Sequence, residues 1–487
     1  MLAPGIIYPA MMRLPLDQVI HGDCIEETYA VPLVLIKQEN NASGTFSECE
    51  IHRSLGFVAT PAEMVRFMVS LAEPEKYPSV VLEPACADAR FLTAFLNMYG
   101  DRHRLVGVEI NPQIVASVQP FLNPTIQLIH ADFLLWDTPE RFDIILGNPP
   151  YGIVGDASHY PIHLLKERKA EYKRRTTTWK GKYNLYGAFI EKAVRLLAPH
   201  GKLVFIVPTT WLILDDFARL RQFLAERGRL EVFYVGRVFP KVNVSAVVLR
   251  FTQGERGLAL YDMASGEWRI ANGRWRMASS KPDYKGELIR FETDEWLEFE
   301  RSGTPLGGLF HIHFAARSPE FRKSGLVRER PEAGDVPVLT GRNLSAGRID
   351  YETCYSGWWM RPEDAPKLRR FYAEPHLVVG HTKGARLVCA VDWRCYPWRE
   401  EYHLVPREGI QVDWAALERY LNSEQVQEYL QALYRDFTPH LTKTMLERVP
   451  LPASLTGLPM VYVSNISIRG ERLACASKFH KKCNTSS

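Results

Sequence analysis

The chain has eight cysteines, at Cys24, Cys49, Cys86, Cys354, Cys389, Cys395, Cys475 and Cys483, and no pair of them has the Cys-x-x-Cys spacing of a zinc site. A chain this long needs no disulfide framework, so reduced thiols and no bound metal are expected. No apolar run approaches the roughly 18 residues needed to span a bilayer. The start, with Pro4, Pro9 and Pro15, lacks a basic segment followed by an apolar one. Both absences argue against a membrane partner and a secretory signal, and the expected location is the cytoplasm. Charge of one sign is scarce too, with 60 Lys and Arg against 56 Asp and Glu for a net +4. Any nucleic-acid contact must therefore come from local basic patches. Internal repeats are absent, and no acidic triad or His-rich cluster suggests a fused nuclease.

What is present is an ordinary globular composition, 46% hydrophobic and 24% charged over 487 residues. That length suits two domains with separate cores. Residues 1–50 show no strong periodicity and form an N-terminal extension. From 51 to 252, short β-branched runs alternate with helical segments: Val80–Leu82, Leu105–Val108, Ile126–Ile129, Phe142–Leu146 and Leu203–Val207. This is the pattern of a parallel sheet covered on both faces. Val232–Val235 and Ala246–Phe251 read as a closing pair of strands. Residues 253–280 mix Gly, Ser, Trp and Arg like a linker, 281–452 form a second domain rich in Arg, Tyr, Trp and His, and 453–487 form a tail. The fold class is α/β, a Rossmann-like catalytic domain followed by a mixed α+β domain.

Acids stand at three consecutive strand tips. Glu83 ends the first strand, Glu109 the second, and Asp132 follows the third. Ligands of open parallel sheets bind beyond the strand ends, and an acid there serves ribose hydroxyls. Together the three can accept hydrogen bonds from the amino group, the ribose and the adenine amine of S-adenosylmethionine, with Phe133 stacking on the adenine. One such acid alone would be an ordinary solvated strand end. Upstream, Thr60 reads as a helix N-cap with Pro61 at the first helical position and Glu63 completing a capping box. The same helix start could face the cofactor carboxylate.

Asn148-Pro149-Pro150-Tyr151 directly follows the strand Phe142–Leu146. An aromatic amino group is a poor nucleophile because its lone pair is delocalised. Two acceptors that hold its N–H bonds favour a tetrahedral nitrogen, and Asn148 and the Pro149 carbonyl are such a pair. Tyr151 offers a ring to stack on the base. The methyl donor is already electrophilic, so positioning and hydrogen bonding can carry the reaction.

With this motif order, and with stretches such as 146–155, 179–189 and 337–344, the chain resembles the TaqI-type DNA adenine methyltransferases from about Leu55 to Pro452. The resemblance implies that Asn148, Pro149 and Tyr151 hold the target adenine, sandwiched between Tyr151 and Phe239. It implies cofactor contacts from Thr60, Glu83, Pro84, Ala85, Cys86, Glu109, Asp132, Phe133 and Pro150. It further implies adenine methylation within TCGA in double-stranded DNA, by a monomer paired in a restriction-modification system with an endonuclease it does not touch. One departure stands out. Where such families often carry glycine after the first strand, this chain has Ala87 and Ala89. A positive φ at Ala89 would cost roughly 1–2 kcal/mol and bear on cofactor affinity.

A base inside a duplex cannot reach such a pocket and must be flipped out. Basic candidates for DNA contact are Lys173, Lys180 and Lys182 in the run 166–182, and Arg317, Arg342, Lys383, Arg386, Arg435 and Lys443 in loops of the second domain. Pro439, a rigid apolar residue in a polar loop, could fill the space the base leaves. Competing readings are methylation of a glutamine amide in a protein, RNA adenine methylation, and a cofactor-binding DNA-binding protein without turnover.

Overall fold

The structure is a computed structural model that describes residues 59–455 except 160–161, 240–243, 265, 267–274, 276 and 382–385. The expected N-terminal extension, Lys383 and nearly all of the expected tail lie outside the described residues. By internal contacts the chain forms two compact units, one of Met1–Thr293 with Tyr429–Thr444, the other of Asp294–Glu428 with Met445–Ser487.

The first unit is built on a nine-stranded sheet in the order β3-β2-β1-β4-β5-β7-β6-β8-β9. The strands are β1 Val80–Pro84, β2 Arg104–Glu109, β3 Ile126–His130, β4 Phe142–Gly147, β5 Leu197–Pro208, β6 Gly228–Gly236, β7 Ala246–Gln253, β8 Leu258–Asp262 and β9 Met277–Lys281. Strands β3, β2, β1, β4 and β5 are parallel neighbours, whereas β7 runs antiparallel between β5 and β6. The order reverses at β1, whose neighbours are β2 on one side and β4 on the other. That is the switch point at which open α/β sheets bind ligands. Val81, Leu82, Val106, Ile145 and Val204 are fully buried, as central parallel strands require.

Helices α1 Ala62–Ser70 and α2 Arg90–Tyr99 pack on the strands and on each other. Helix α2 buries Phe91, Leu92, Ala94 and Phe95, one stripe of its surface. Each such large side chain contributes roughly 1.5–3 kcal/mol on burial. Further along lie α3 Pro112–Val118, α4 Lys169–Arg175, α5 Leu185–Leu196 and α6 Ala218–Arg227.

The second unit contains a four-stranded antiparallel sheet of β10 Phe310–Phe314, β11 His376–Val379, β12 Cys389–Asp392 and β13 Tyr402–Pro406, in the order β10-β13-β11-β12. Val338, Leu339, Leu344, Met360, Tyr372 and Trp398 form a core beside it.

Two expectations about organisation change. The supposed linker 253–280 carries strands β8 and β9, and β8 pairs in parallel with β6. Leu258, Ala259 and Leu260 are buried there, although the Gly- and Ser-rich residues around them hid the strand pattern. The segment Tyr429–Thr444 belongs with the first unit, where Phe291 N donates to Leu433 O at 3.0 Å. Among the described residues no helix is long and apolar enough to cross a membrane.

Candidate functional site

Strand β4 ends at Gly147, and Asn148-Pro149-Pro150-Tyr151 leaves the sheet beside the switch point. Gly147 has φ +153°, within the range that favours glycine. Asn148 Nδ2 donates to Thr60 Oγ1 at 3.1 Å, which turns the amide carbonyl to the opposite side. This contact corrects the expected cap. Helix α1 starts at Ala62 with Pro61 as its N-cap residue and no side-chain cap, so Thr60 serves the Asn148 amide instead.

Tyr151 donates its hydroxyl to Ile206 O at 3.0 Å, and burial pushes its pKa well up, so it stays a neutral donor. The Tyr151 ring lies edge-on to Phe239, 6.3 Å between centroids at 79°. Beyond it, Gly152 N donates to Asn184 Oδ1 and Gly152 O accepts from Leu185 N, both at 2.8 Å. The start of α5 thus clamps the exit of the loop.

Of the strand-tip acids, Glu83 and Glu109 are buried and shape the neighbouring turn, whereas Asp132 is partly buried. Glu83 accepts from Leu92 N at 3.1 Å, and Glu109 accepts from Ala87 N and Asn111 N, each at 3.0 Å. Burial raises the pKa of both carboxyls, and at Glu83 nearby Asp88 adds to the effect. Asp132 accepts from Leu134 N at 3.0 Å through Oδ1, and from Tyr172 and Arg168 at 2.6 and 2.7 Å through Oδ2. Phe133 packs on Phe189, and Lys192 sits over its ring at 5.3 Å. Burial brings the Lys192 pKa down to about 8. The buried Cys86 thiol is pushed well up by burial and by Glu83, which makes it a packing group. A Cβ on Gly107 of β2 would stand 2.6 Å from Leu128 Cδ2 and 2.7 Å from this Sγ, so a larger residue there requires those side chains to shift.

The turn between β1 and α2 is left-handed at Ala85, Ala87 and Ala89, with φ 55°, 46° and 56°. The Ala89 expectation holds, and two more alanines share the conformation. Such a backbone costs an L-residue roughly 1–2 kcal/mol. Glycine removes this but gains about 0.4–1 kcal/mol of unfolded-state entropy. Ala89→Gly should therefore raise unfolding stability by up to about 1 kcal/mol, read as a higher midpoint in thermal denaturation. A lower midpoint would mean that the Ala89 methyl contributes more through packing than its backbone loses through strain.

The basic run 166–182 crosses a 3-10 turn, α4 and a loop. Part of its charge is already paired: Arg168 with Asp132, Arg174 with Glu171, and Arg175 with Asp137 and Glu171. Lys173, Lys180 and Lys182 are exposed. The loop bearing the latter two is braced by buried Glu191, which accepts from Thr177 N, Thr177 Oγ1 and Thr178 N at 3.0, 2.8 and 2.8 Å.

Within the second unit Arg317, Arg342 and Arg386 are exposed. Arg342 is held out by buried Asn343, which donates to Asp350 O and Thr353 O at 2.9 and 2.8 Å. Arg435, in the first unit, pairs with Asp262 at 2.8 Å and lies over the Phe291 ring at 4.6 Å, so its first role is internal. Pro439 is exposed, directly after buried Phe437 and Thr438. Sequence reasoning missed the Thr60–Asn148, Asn184–Gly152 and Tyr172–Asp132 bonds. Thr60, Asn148, Asp132 and the stretches holding Gly152, Tyr172 and Asn184 stood out beforehand, but nothing in the sequence marked which would pair with which.

Residues 96–237 match the Eco57I restriction-modification methylase family, and 336–451 match the TaqI-like C-terminal specificity domain. The Type II methyltransferase M.TthHB8I of Thermus thermophilus is 59% identical over 398 residues, 82% of this chain and 91% of that protein. The Type II methyltransferase M.HincII of Haemophilus influenzae is 29% identical over 209 residues, 42% of this chain and 38% of its own length. A solved structure of a nuclease-deletion mutant of the Type ISP restriction-modification enzyme LlaGI with a DNA substrate mimic aligns at TM-score 0.50 and 13% identity. It covers 80% of this chain and 53% of that one, a likeness of fold.

Proposed function

From the premise that this chain belongs to the Type II restriction-modification DNA methyltransferases with a TaqI-like specificity domain, we propose that it methylates the exocyclic amino group of adenine within TCGA in duplex DNA. The observation that carries this reading is the Asn148–Tyr151 loop leaving β4 at the switch point, with the Asn148 amide already oriented by Thr60.

Asn148 Oδ1 and the Pro149 carbonyl accept the two N–H bonds of the target amine and turn its lone pair out of the ring. The chemistry S-adenosylmethionine supplies when bound is an electrophilic methyl group on a sulfonium sulfur. Acids at three adjacent strand ends fit its donors: Glu83 for the amino group, Glu109 for the ribose and Asp132 for the adenine amine. The Glu83–Cys86 turn, Phe133 and Pro150 complete that pocket. Stacking the flipped base between Tyr151 and Phe239 requires the Phe239 ring to turn from its edge-on position. Lys173, Lys180, Lys182, Arg317, Arg342, Lys383 and Arg386 are the proposed DNA contacts, and the enzyme acts as a monomer beside its endonuclease.

The deciding experiment offers labelled S-adenosylmethionine with duplex DNA, single-stranded DNA, RNA and protein, then maps the modified group. Label on adenine in TCGA supports the reading. Modified adenine confined to another sequence overturns the target alone, and label on a different base, on RNA or on protein overturns the chemistry.

Cofactor binding should depend on pH. Burial raises the Glu83 and Glu109 carboxyls. The stability each contributes is complete below the ordinary glutamate range and is lost as pH rises through the folded value. A cofactor cation on Glu83 favours the carboxylate, so binding releases a proton. Affinity should weaken as pH is lowered, by up to about tenfold per pH unit for each proton released. Calorimetry from neutral to mildly acid pH measures this, and a flat profile removes Glu83 as the acceptor of the cofactor ammonium.

A further inference from the structure

A single carboxylate about 200 residues downstream fastens its segment to the end of β6 and to the residue before β7, at sequence separations of 202 and 191. Asp436 Oδ1 accepts from the Tyr234 hydroxyl near the end of β6. Its Oδ2 accepts from Ser245 Oγ, just before β7, at 2.5 Å, with Arg237 Nε 3.3 Å away. Tyr234 and Ser245 are the two stems of the connection that carries Phe239. Around this carboxylate, Thr209 Oγ1 donates to Phe437 O at 2.8 Å, and the Phe437 ring meets Tyr234 edge-on at 5.6 Å. Arg435, left-handed at φ 48°, is pinned through Asp262. Thr438 Oγ1 donates to His440 O at 2.6 Å across the exposed Pro439.

We propose that Asp436 is a positioning residue that locks the segment bearing Pro439 to both stems of the Phe239 connection, fixing the two relative to each other while the target base is out of the duplex. This rests on the reading that Tyr151 and Phe239 receive that base. The side chain is 38% exposed, so hydrophobic packing is not its main work. A carboxylate suits the place because it accepts from several donors at once, and charge-assisted bonds hold geometry more firmly than neutral ones.

The test is Asp436→Ala, assayed on duplexes in which the target base is either fully paired or faces an abasic position. Loss of bonds to a charged group should lower kcat/KM on the paired duplex about tenfold. Cofactor affinity should stay at the wild-type value. The deficit should largely disappear opposite the abasic position, where extrusion is easier. A fluorescent purine at the target position should report less extruded base. Should Asp436→Ala fail to fold, Ser245→Ala, which removes the bond from one of the two stems, is expected to show the same dependence on base pairing. Wild-type activity on the paired duplex, or an equal deficit on both duplexes, overturns the proposal. Asn148→Ala run in parallel separates the two readings. If its deficit persists on both duplexes while Asp436→Ala shows none, the positioning role fails and the pocket assignment stands.

Discussion

Asn148→Ala is expected to lower the single-turnover rate of methyl transfer by about a hundredfold to nearly a thousandfold, the loss of about 2.7–4 kcal/mol seen when a preorganised polar group is removed from a transition state. The amide is held before reaction because its Nδ2 donates to Thr60 Oγ1 at 3.1 Å. It therefore meets the base with its carbonyl already turned, and removing it takes away both an acceptor and its orientation. Cofactor affinity should change little, because the strand-tip acids are untouched. Thr60→Val, which keeps the shape and removes the hydroxyl, should show a smaller loss of the same kind, about tenfold or less, since only orientation is affected. Rapid-quench measurement with enzyme in excess reads the step directly, and a near-wild-type rate for Asn148→Ala would end its assignment as the acceptor.

Asp392→Ala should destabilise the second unit by about 3 kcal/mol or more, because it takes the acceptor from five donors at once, the buried Trp398 Nε1 among them, and each buried donor left unmet costs about 1–3 kcal/mol. Asp392, fully buried at the end of β12, accepts from the Tyr351 hydroxyl at 2.9 Å, from the amides of Arg394, Cys395 and Tyr396 at 3.0 Å, and from Trp398 Nε1 at 2.8 Å. These bonds close a turn in which Cys395 is left-handed at φ 57°, and they hold Trp398 in the core. The matched domain is the specificity domain, so the expected phenotype is selective. Sequence-specific DNA binding falls away near the growth temperature while cofactor binding survives. Calorimetric unfolding should show an early transition that is absent from the wild type. Superimposable melting curves would show that the turn does not depend on this carboxylate.

Local chemistry made much of the first unit legible along the chain. Strands β1 to β5 announce themselves as β-branched apolar runs, since a strand buried on both faces must be apolar throughout. Asn148-Pro149-Pro150-Tyr151 stands out because it follows such a run directly. The three acids are visible for the same reason, each sitting where a run stops. Strain at Ala89 could be anticipated from the missing glycine. It took the backbone itself to show that Ala85 and Ala87 share it.

Long-range partnership was decided elsewhere. Strands β8 and β9 lie in Gly- and Ser-rich text with little periodicity, and they exist because β6 offers an edge to pair with. The return of Tyr429–Thr444 to the first unit leaves no local mark, because Phe437 and Asp436 find their partners about 200 residues upstream. The same holds for Thr60 on Asn148 and Tyr172 on Asp132, separated by 88 and 40 residues. A side chain's type limits what it can donate or accept, and that much can be read residue by residue. Which donor meets which acceptor is settled only when the sheet closes and sets distant strand ends side by side, because hydrogen bonds act over about 3 Å of space and carry no record of separation along the chain.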